Sequence, residues 1–362
     1  FRWEFTIPRH VWDRYSDSLE AYYKAFTKDW RVKRDKRKKK LMINFFGDRK
    51  EYHRTSGAPG GALAYFMFLG DYDLCVFYDR LDGDSTEMVL FHEASHYLQK
   101  LINEKFRYPH WPSEGIAEYY GGSLWDAEKK KLAVGLIQEG RLTEVQNDIS
   151  LGKYITLDSV ITEEAYTDYT WGWTLVHFLM NDKRYRKGFE KYFVGLANAK
   201  GVRREVGTFE LRYVKPAESL RYFRECLGVK SDEAFAELQR EWYDYIENVL
   251  KLESTSGLEK AALSAKQGGK PLRAKRLYSE ALEAGSTNAM AHHHYAQLLK
   301  DESPSKARDL WEKAIELDPL VGTFHFQLGR LQKDKDERKR MMALAKELDP
   351  EVDAWSIDLE LD

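Results

Sequence analysis

Thr86-Glu-Met-Val-Leu-Phe-His92-Glu93-Ala94-Ser95-His96-Tyr-Leu-Gln-Lys-Leu-Ile-Asn-Glu104 follows Asp84-Ser85, good N-cap residues, and its spacing predicts a helix of about five turns. Residues four apart on a helix share a face, one turn above the other. His92 and His96 can therefore both reach one metal ion at about 2.0–2.1 Å, the distance expected for zinc. Glu93, beside the first histidine, is placed to accept a proton from water activated at such an ion. A hydrolytic zinc needs three protein ligands and one open position, so a third ligand is expected on a neighbouring element. Downstream lies Trp111-Pro-Ser-Glu114-Gly-Ile-Ala-Glu118-Tyr119, in which Glu114 falls 18 positions after His96. Glu118 comes one helical turn later on the same face. This pair suits a ligand carboxylate, Glu114, followed by an outer carboxylate, Glu118, that orients a ligand histidine through its other ring nitrogen. One zinc ion per chain is the expectation.

The chain around this segment has 362 residues, a prior of roughly two to three domains. Its 57 basic and 59 acidic side chains leave a net charge of −2, against the excess of cations that a general nucleic-acid binder needs. Apolar residues make up 43% and charged ones 32%, a globular composition rather than a disordered one. Apolar runs such as Leu63–Leu69 fall far short of the roughly 18 residues of a membrane span. Two cysteines, Cys75 and Cys226, rule out a disulfide framework and a cysteine-rich zinc site, and leave a single bridge between them open.

Before the histidine helix the pattern mixes strands and helices: Arg2–Ile7, Leu41–Phe46, Ala62–Leu69 and Asp73–Asp79 read as strands, and Val11–Trp30 as an amphipathic helix. The basic tract Arg31–Lys40 has no interleaved aromatic residue and reads as a solvated connection. After it, Ser113–Asp126, Asp168–Asn181 and two or three segments in Phe209–Leu250 read as helices, and a polar stretch, Lys251–Gly257, marks a boundary. Beyond the boundary Ala274, Tyr278 and Ala281 recur as Ala307, Trp311 and Ala314, each 33 residues later, and Asp318-Pro319 recurs as Asp349-Pro350. A period near 34 of this kind resembles tetratricopeptide repeats, helical hairpins that bury their apolar faces only by stacking. About three units fit residues 258–350. His292-His-His294 lies inside a repeat helix, where consecutive positions splay by about 100° and cannot all face one ion. His177 reads as a core residue, and His110 as a residue near the ligand loop.

His92–His96 with Glu114 resembles the gluzincin metallopeptidases of the MA clan, in which H-E-x-x-H on one helix is completed by a Glu on the next. Trp111–Ala117 is similar to the W-L-N-E-G-F-A signature of the aminopeptidase-like branch, with Pro112 and Ser113 departing before the Glu. A nearer likeness is to a bacterial group of gluzincin-like domains with an F-x-D-R-x-x-Y segment, here Phe46–Tyr52, and a Gly-Gly before a strand, here Gly60-Gly61. The resemblance covers about residues 41–250. It implies an α+β peptidase domain over 1–250, a small mixed sheet with a helical subdomain, followed by the all-α repeats of 258–350. It implies His92, His96 and Glu114 as ligands, Glu93 as general base, and a Tyr donating to the developing oxyanion from a Y-x-x-G setting. Tyr169-Thr-Trp-Gly172 fits that setting, with Tyr166 as rival.

The expected activity is zinc-dependent hydrolysis of peptide bonds in a peptide or protein substrate. The aminopeptidase branch holds its substrate's free amine with a carboxylate in a G-x-M-E-N strand. Gly60–Tyr65 has none, which favours endopeptidase or narrow-specificity cleavage. The competing reading is an interaction protein that binds a protein partner on its repeats and carries a structural or vestigial metal site; the intact Glu93 speaks against it, since a structural site has no use for a base. The chain opens at Phe1, and the expectation is that a preceding stretch, either a secretory signal or a trimmed segment, is missing. The resemblance favours a periplasmic or extracellular place over a cytoplasmic one.

Overall fold

A computed structural model describes residues 1–32, 39–58, 62–67, 72–78, 83–163, 169–250 and 255–350, with the backbone alone at 83–85, 139, 143, 147, 150 and 256. The chain is mostly helical with small sheets. Strand β1 (Arg2–Phe5) leads into α1 (Arg9–Asp29), whose Tyr15, Leu19, Tyr22 and Phe26 recur at helical spacing and are all buried. Then come β2 (Met42–Phe46), α2 (Arg49–Thr55), β3 (Ala64–Met67) and β4 (Asp73–Phe77). These strands form one sheet in the order β1-β2-β4-β3, parallel except for β3, which runs antiparallel to β4 at the edge. Ile43 and Phe45 of β2 alternate into the core, whereas Leu74–Phe77 of the inner strand β4 are buried on both faces. The Phe46–Tyr52 motif is local architecture: the Asp48 carboxylate accepts from the amides of Lys50 and Glu51, capping α2.

The histidine helix is α3 (Gly83–Ile102), three residues longer at its start than the caps at Asp84-Ser85 predict. It packs on the sheet and on α4 (His110–Gly121). The expected helix Ser113–Asp126 is thereby corrected at both ends. Pro112 is the third residue of α4, where it loses nothing because first-turn amides have no helical partner. At the other end Gly122 is the C-cap, and Leu124–Asp126 is a strand, β5, paired with β6 (Lys131–Ala133). There follow α5 (Glu139–Ser150), α6 (Leu157–Thr162), α7 (Tyr169–Asn181) and α8 (Arg186–Asn198). Part of the segment expected as helical, Phe209–Leu250, begins instead in a hairpin of β7 (Glu205–Val206) and β8 (Arg212–Tyr213), before α9 (Pro216–Leu227), α10 (Asp232–Asp244) and a π turn at Tyr245–Val249. One apolar cluster runs through most of these elements, from Ile7 to Leu250, and a smaller one joins Tyr52, Cys75 and Phe77.

Residues 255–348 form three helical hairpins: α11 (Thr255–Gln267) with α12 (Pro271–Glu283), α13 (Ala289–Leu299) with α14 (Pro304–Leu317), and α15 (Gly322–Arg330) with α16 (Lys335–Leu348). Ala274, Tyr278 and Ala281 occupy α12 and Ala307, Trp311 and Ala314 the equivalent places in α14, all fully buried where helices cross. The core that contains most of them is separate from that of residues 7–250. Cys75 and Cys226 are both free thiols. The centre of the basic tract (33–38), Gly60-Gly61, Tyr166 and residues 251–254 lie outside the described residues.

Candidate metal centre

Two hydrogen bonds set the register between the helices that carry the motif. Gln99 Nε2 on α3 donates to the Ser113 carbonyl at 3.0 Å, and Ser113 Oγ donates back to Gln99 Oε1 at 2.9 Å. The amide of Trp111 donates to Glu163 Oε1 at 3.1 Å, anchoring the first turn of α4. A third contact presses α4 against α7. A Cβ added at Gly115 meets the Gly172 carbonyl oxygen at 2.6 Å, and one added at Gly172 meets the Trp111 carbonyl oxygen at 3.1 Å. The glycines of both short motifs, E-G-x-A and Y-x-x-G, are thus one packing contact. It brings Glu114 under the histidines and the start of α7 beside them.

There His92, His96 and Glu114 form a cluster whose ligand atoms all lie within 4.8 Å of one another. Glu114 Oε2 is 3.4 Å from His92 Nε2 and 3.5 Å from His96 Nε2. Ligands about 2.0–2.1 Å from a tetrahedral ion stand about 3.3–3.4 Å apart, so the donor set has the spacing of two edges of such a shell. His92 Nδ1, its other nitrogen, faces Glu118 Oε1 at 3.4 Å. Glu93, His96 and Glu114 line a cleft of about 980 Å³, which leaves the cluster open on one side. Tyr169 opens α7 with its ring 6.1 Å from that of His92 and 5.8 Å from that of His110, and it is about one-third exposed.

The electrostatics suit a cation. Burial works against protonation of His92, but the hydrogen bond to Glu114 and the charges of Glu118 and Glu93 push its pKa up to about 9. Burial holds His96 below its ordinary value against the pull of Glu114. Burial likewise works to raise Glu114, yet the hydrogen bond with His92 and the nearby charge of His96 keep it below the usual carboxylate range. Three carboxylates thus surround two imidazoles in a half-buried site, and His92, His96 and Glu114 could hold a metal ion.

Sequence reasoning missed the residues that hold Glu118. Arg141 on α5 grips it with two nitrogens, Nε to Oε2 at 3.2 Å and Nη2 to Oε1 at 3.0 Å, and Gln138 Nε2 donates to Oε2 at 3.0 Å. The Arg141 guanidinium also lies over the Tyr169 ring, 5.3 Å from its centre. Farther along α5, Glu144 accepts from Thr170 Oγ1 and Asp148 accepts from Trp171 Nε1, so α5 fixes the first turn of α7 as well as Glu118. Nothing in residues 127–167 carries a recognisable motif, and no local signal marks Arg141.

His177 and the three histidines of α13 are occupied elsewhere. His177 is buried with Nε2 on the Gly135 carbonyl at 3.0 Å and Nδ1 on the Tyr245 hydroxyl at 2.7 Å. In α13, His292 Nδ1 meets the Asn288 carbonyl, His293 Nδ1 accepts from Trp311 Nε1, and His294 Nδ1 meets Lys266 Nζ, three different directions. His110 lines the cleft.

No family model matches the chain, and no curated protein matches it. Among solved structures, a human IFIT1 dimer with PPP-AAAA is similar at 16% identity and a TM-score of 0.23, over 74% of this chain. The chain spans 64% of the length of that one. At such a score the likeness bears on neither fold nor function.

Proposed function

We propose that the chain is a zinc-dependent peptidase, an endopeptidase or one of narrow specificity. The observation that carries this reading is the convergence of His92 Nε2, His96 Nε2 and Glu114 Oε2 at tetrahedral spacing beside a large cleft that Glu93, His96 and Glu114 line. A zinc ion held by these three side chains supplies Lewis acidity and an acidified water. Glu93 takes the proton of the attacking water and delivers it to the leaving amine. Tyr169 donates a hydrogen bond to the carbonyl oxygen as charge develops on it. Glu118, held by Arg141 and Gln138, keeps the His92 ring oriented with Nε2 toward Glu114. The three helical hairpins are the part of the chain suited to hold a protein partner, since stacked hairpins present extended surfaces.

The test is the Glu93→Gln variant. Elemental analysis should find one zinc per chain in it, as in the parent, while digestion of proteome-derived peptides, scored by new termini, should stop. Turnover retained in Glu93→Gln removes the proposed base. A parent chain that holds zinc and leaves every peptide intact favours the interaction-protein reading instead.

A further inference from the structure

Beyond the metal cluster, the cleft continues along α3 to a pair of cations. His92, His96 and Lys100 are spaced four apart and so lie on one face of the helix, with Lys100 one turn past His96. Lys100 lines the same cleft as Glu93, His96 and Glu114, and so does Arg107. The two are neighbours: burial and then the charge of Arg107 hold the Lys100 ammonium below its ordinary pKa, with Glu104 acting the other way. The carboxylate of Glu104 accepts from the Tyr72 hydroxyl at 2.9 Å. Arg107 makes no ion pair among the described residues and its side chain is exposed.

The backbone that presents Arg107 is fixed. Its amide donates to the Arg212 carbonyl at 2.8 Å, and the Arg212 amide donates to the Lys105 carbonyl at 2.7 Å, so residues 105–107 run beside β8. Phe106 is buried beneath, and Lys100 Nζ donates to its carbonyl at 3.0 Å. Two adjacent cations on a preformed cleft wall repel each other, and an anion between them relieves that repulsion. A guanidinium fork matches a carboxylate in shape as well as charge.

We infer that Arg107 and Lys100 form a subsite for a carboxylate of the bound peptide, either its C-terminal group or an Asp or Glu side chain. This inference rests on the peptidase reading for the identity of the ligand. One helical turn is about 5.4 Å and an extended peptide advances about 3.4 Å per residue. The carboxylate therefore sits about two residues from a carbonyl held beside His96 and Glu114.

The experiment measures binding by a chain that cannot cut. Zinc-loaded Glu93→Gln protein is titrated with N-terminally labelled octapeptides and followed by fluorescence anisotropy. One pair of peptides differs only in a C-terminal acid against its amide, and a second pair, both amides, in Asp against Asn at the penultimate residue. The acid of at least one pair should bind about 10- to 100-fold tighter than its neutral twin, the usual worth of a charge-assisted hydrogen-bonded contact. The pair that shows the gap names the source of the carboxylate. Adding Arg107→Gln should close the gap, Arg107→Lys should keep part of it, and Arg276→Gln on the repeats should leave it whole. Equal affinities within both pairs, no binding of any form at millimolar peptide, or a gap that survives Arg107→Gln overturns the inference. Because the readout is binding, a parent chain that cleaves nothing refutes the peptidase reading and leaves this result standing.

Discussion

Substituting Gly115 by alanine tests whether α4 and α7 pack as closely as the site requires. The new Cβ stands 2.6 Å from the Gly172 carbonyl oxygen, 2.9 Å from its carbon and 2.7 Å from Val176 Cγ2. Ordinary contact begins at 3.4 Å, so the helices must part by about 0.8 Å. Two of the three obstacles are backbone atoms, which cannot rotate away, and that places the change at the upper end of the about 1–3 kcal/mol typical of overpacking. Alanine returns about 1 kcal/mol through its better helix propensity, leaving a net loss of about 2 kcal/mol. At about 2–4 °C per kcal/mol for a unit of 150–250 residues, the melting temperature should fall by about 4–8 °C. Glu114 is the adjacent residue, so zinc affinity, read by competition with a chelating dye, should fall with it. Gly172→Ala is the internal control. Its Cβ meets the Trp111 carbonyl oxygen at 3.1 Å, a shift of a few tenths of an ångström that the propensity gain offsets. Circular-dichroism melts in which Gly115→Ala matches the parent, or in which Gly172→Ala is the worse of the two, refute the packing argument.

Glu118→Gln should weaken zinc binding about 10- to 100-fold, the effect of losing an outer carboxylate, whereas Glu114→Gln should weaken it far more; the reverse order in a competition titration makes Glu118 the third ligand. Tyr169→Phe should lower turnover about 100- to 1000-fold with little change in Michaelis constant or zinc content, and Tyr166→Phe should be nearly silent; a Tyr169→Phe chain that only melts lower assigns the residue to packing. His177 supplies a pH test, because burial pushes its pKa down to about 4, partly opposed by its bond to the Gly135 carbonyl. Between about pH 6.5 and 4 the unfolded imidazole binds a proton that the folded one refuses, so stability is full above 6.5 and declines as pH falls through that window, by about 3 kcal/mol. His177→Gln keeps a donor for Gly135 and should flatten that slope in urea titrations, and an unchanged slope removes His177 as its source.

What the sequence made legible followed from short-range geometry. Four-residue spacing puts His92 and His96 on one helix face whatever the tertiary structure, and the same rule relates Glu114 to Glu118. The repeat period was readable because Ala274 and Ala307 are small residues fully buried where helices cross. Boundaries were harder where one residue type serves two positions. Pro112 suited a helix opening just behind it, and its actual place as third residue of α4 breaks no helical bond. The hairpin at residues 205–213 escaped notice for a different reason. Its turn has Phe209 and Glu210 at φ of 57° and 58°, where Asn or Gly normally signals such a turn. Arg141, Gln138 and Glu163 were illegible because they reach the site from segments with no pattern of their own, and only the packing of α5 and α6 brings them there.

That packing gives the two carboxylates of α4 different surroundings. Glu114 lines the cleft and meets both histidines, His92 Nε2 at 3.4 Å and His96 Nε2 at 3.5 Å. Glu118, one turn on, meets the other nitrogen of His92 and is held by Arg141 and Gln138, and through Arg141 it shares a partner with Glu144 and Tyr169. The helix that carries Arg141 also packs against α11, the first repeat helix, closely enough that a Cβ at Gly140 would stand 2.9 Å from Ser264 Oγ. The first helical hairpin therefore abuts the helix whose side chains hold both Glu118 and the first turn of α7. A displacement of α11 has a short physical route to His92, through α5, Arg141 and Glu118, and from His92 to Glu114. The side chains that hold Glu118 thus sit on the side of the site that faces α11.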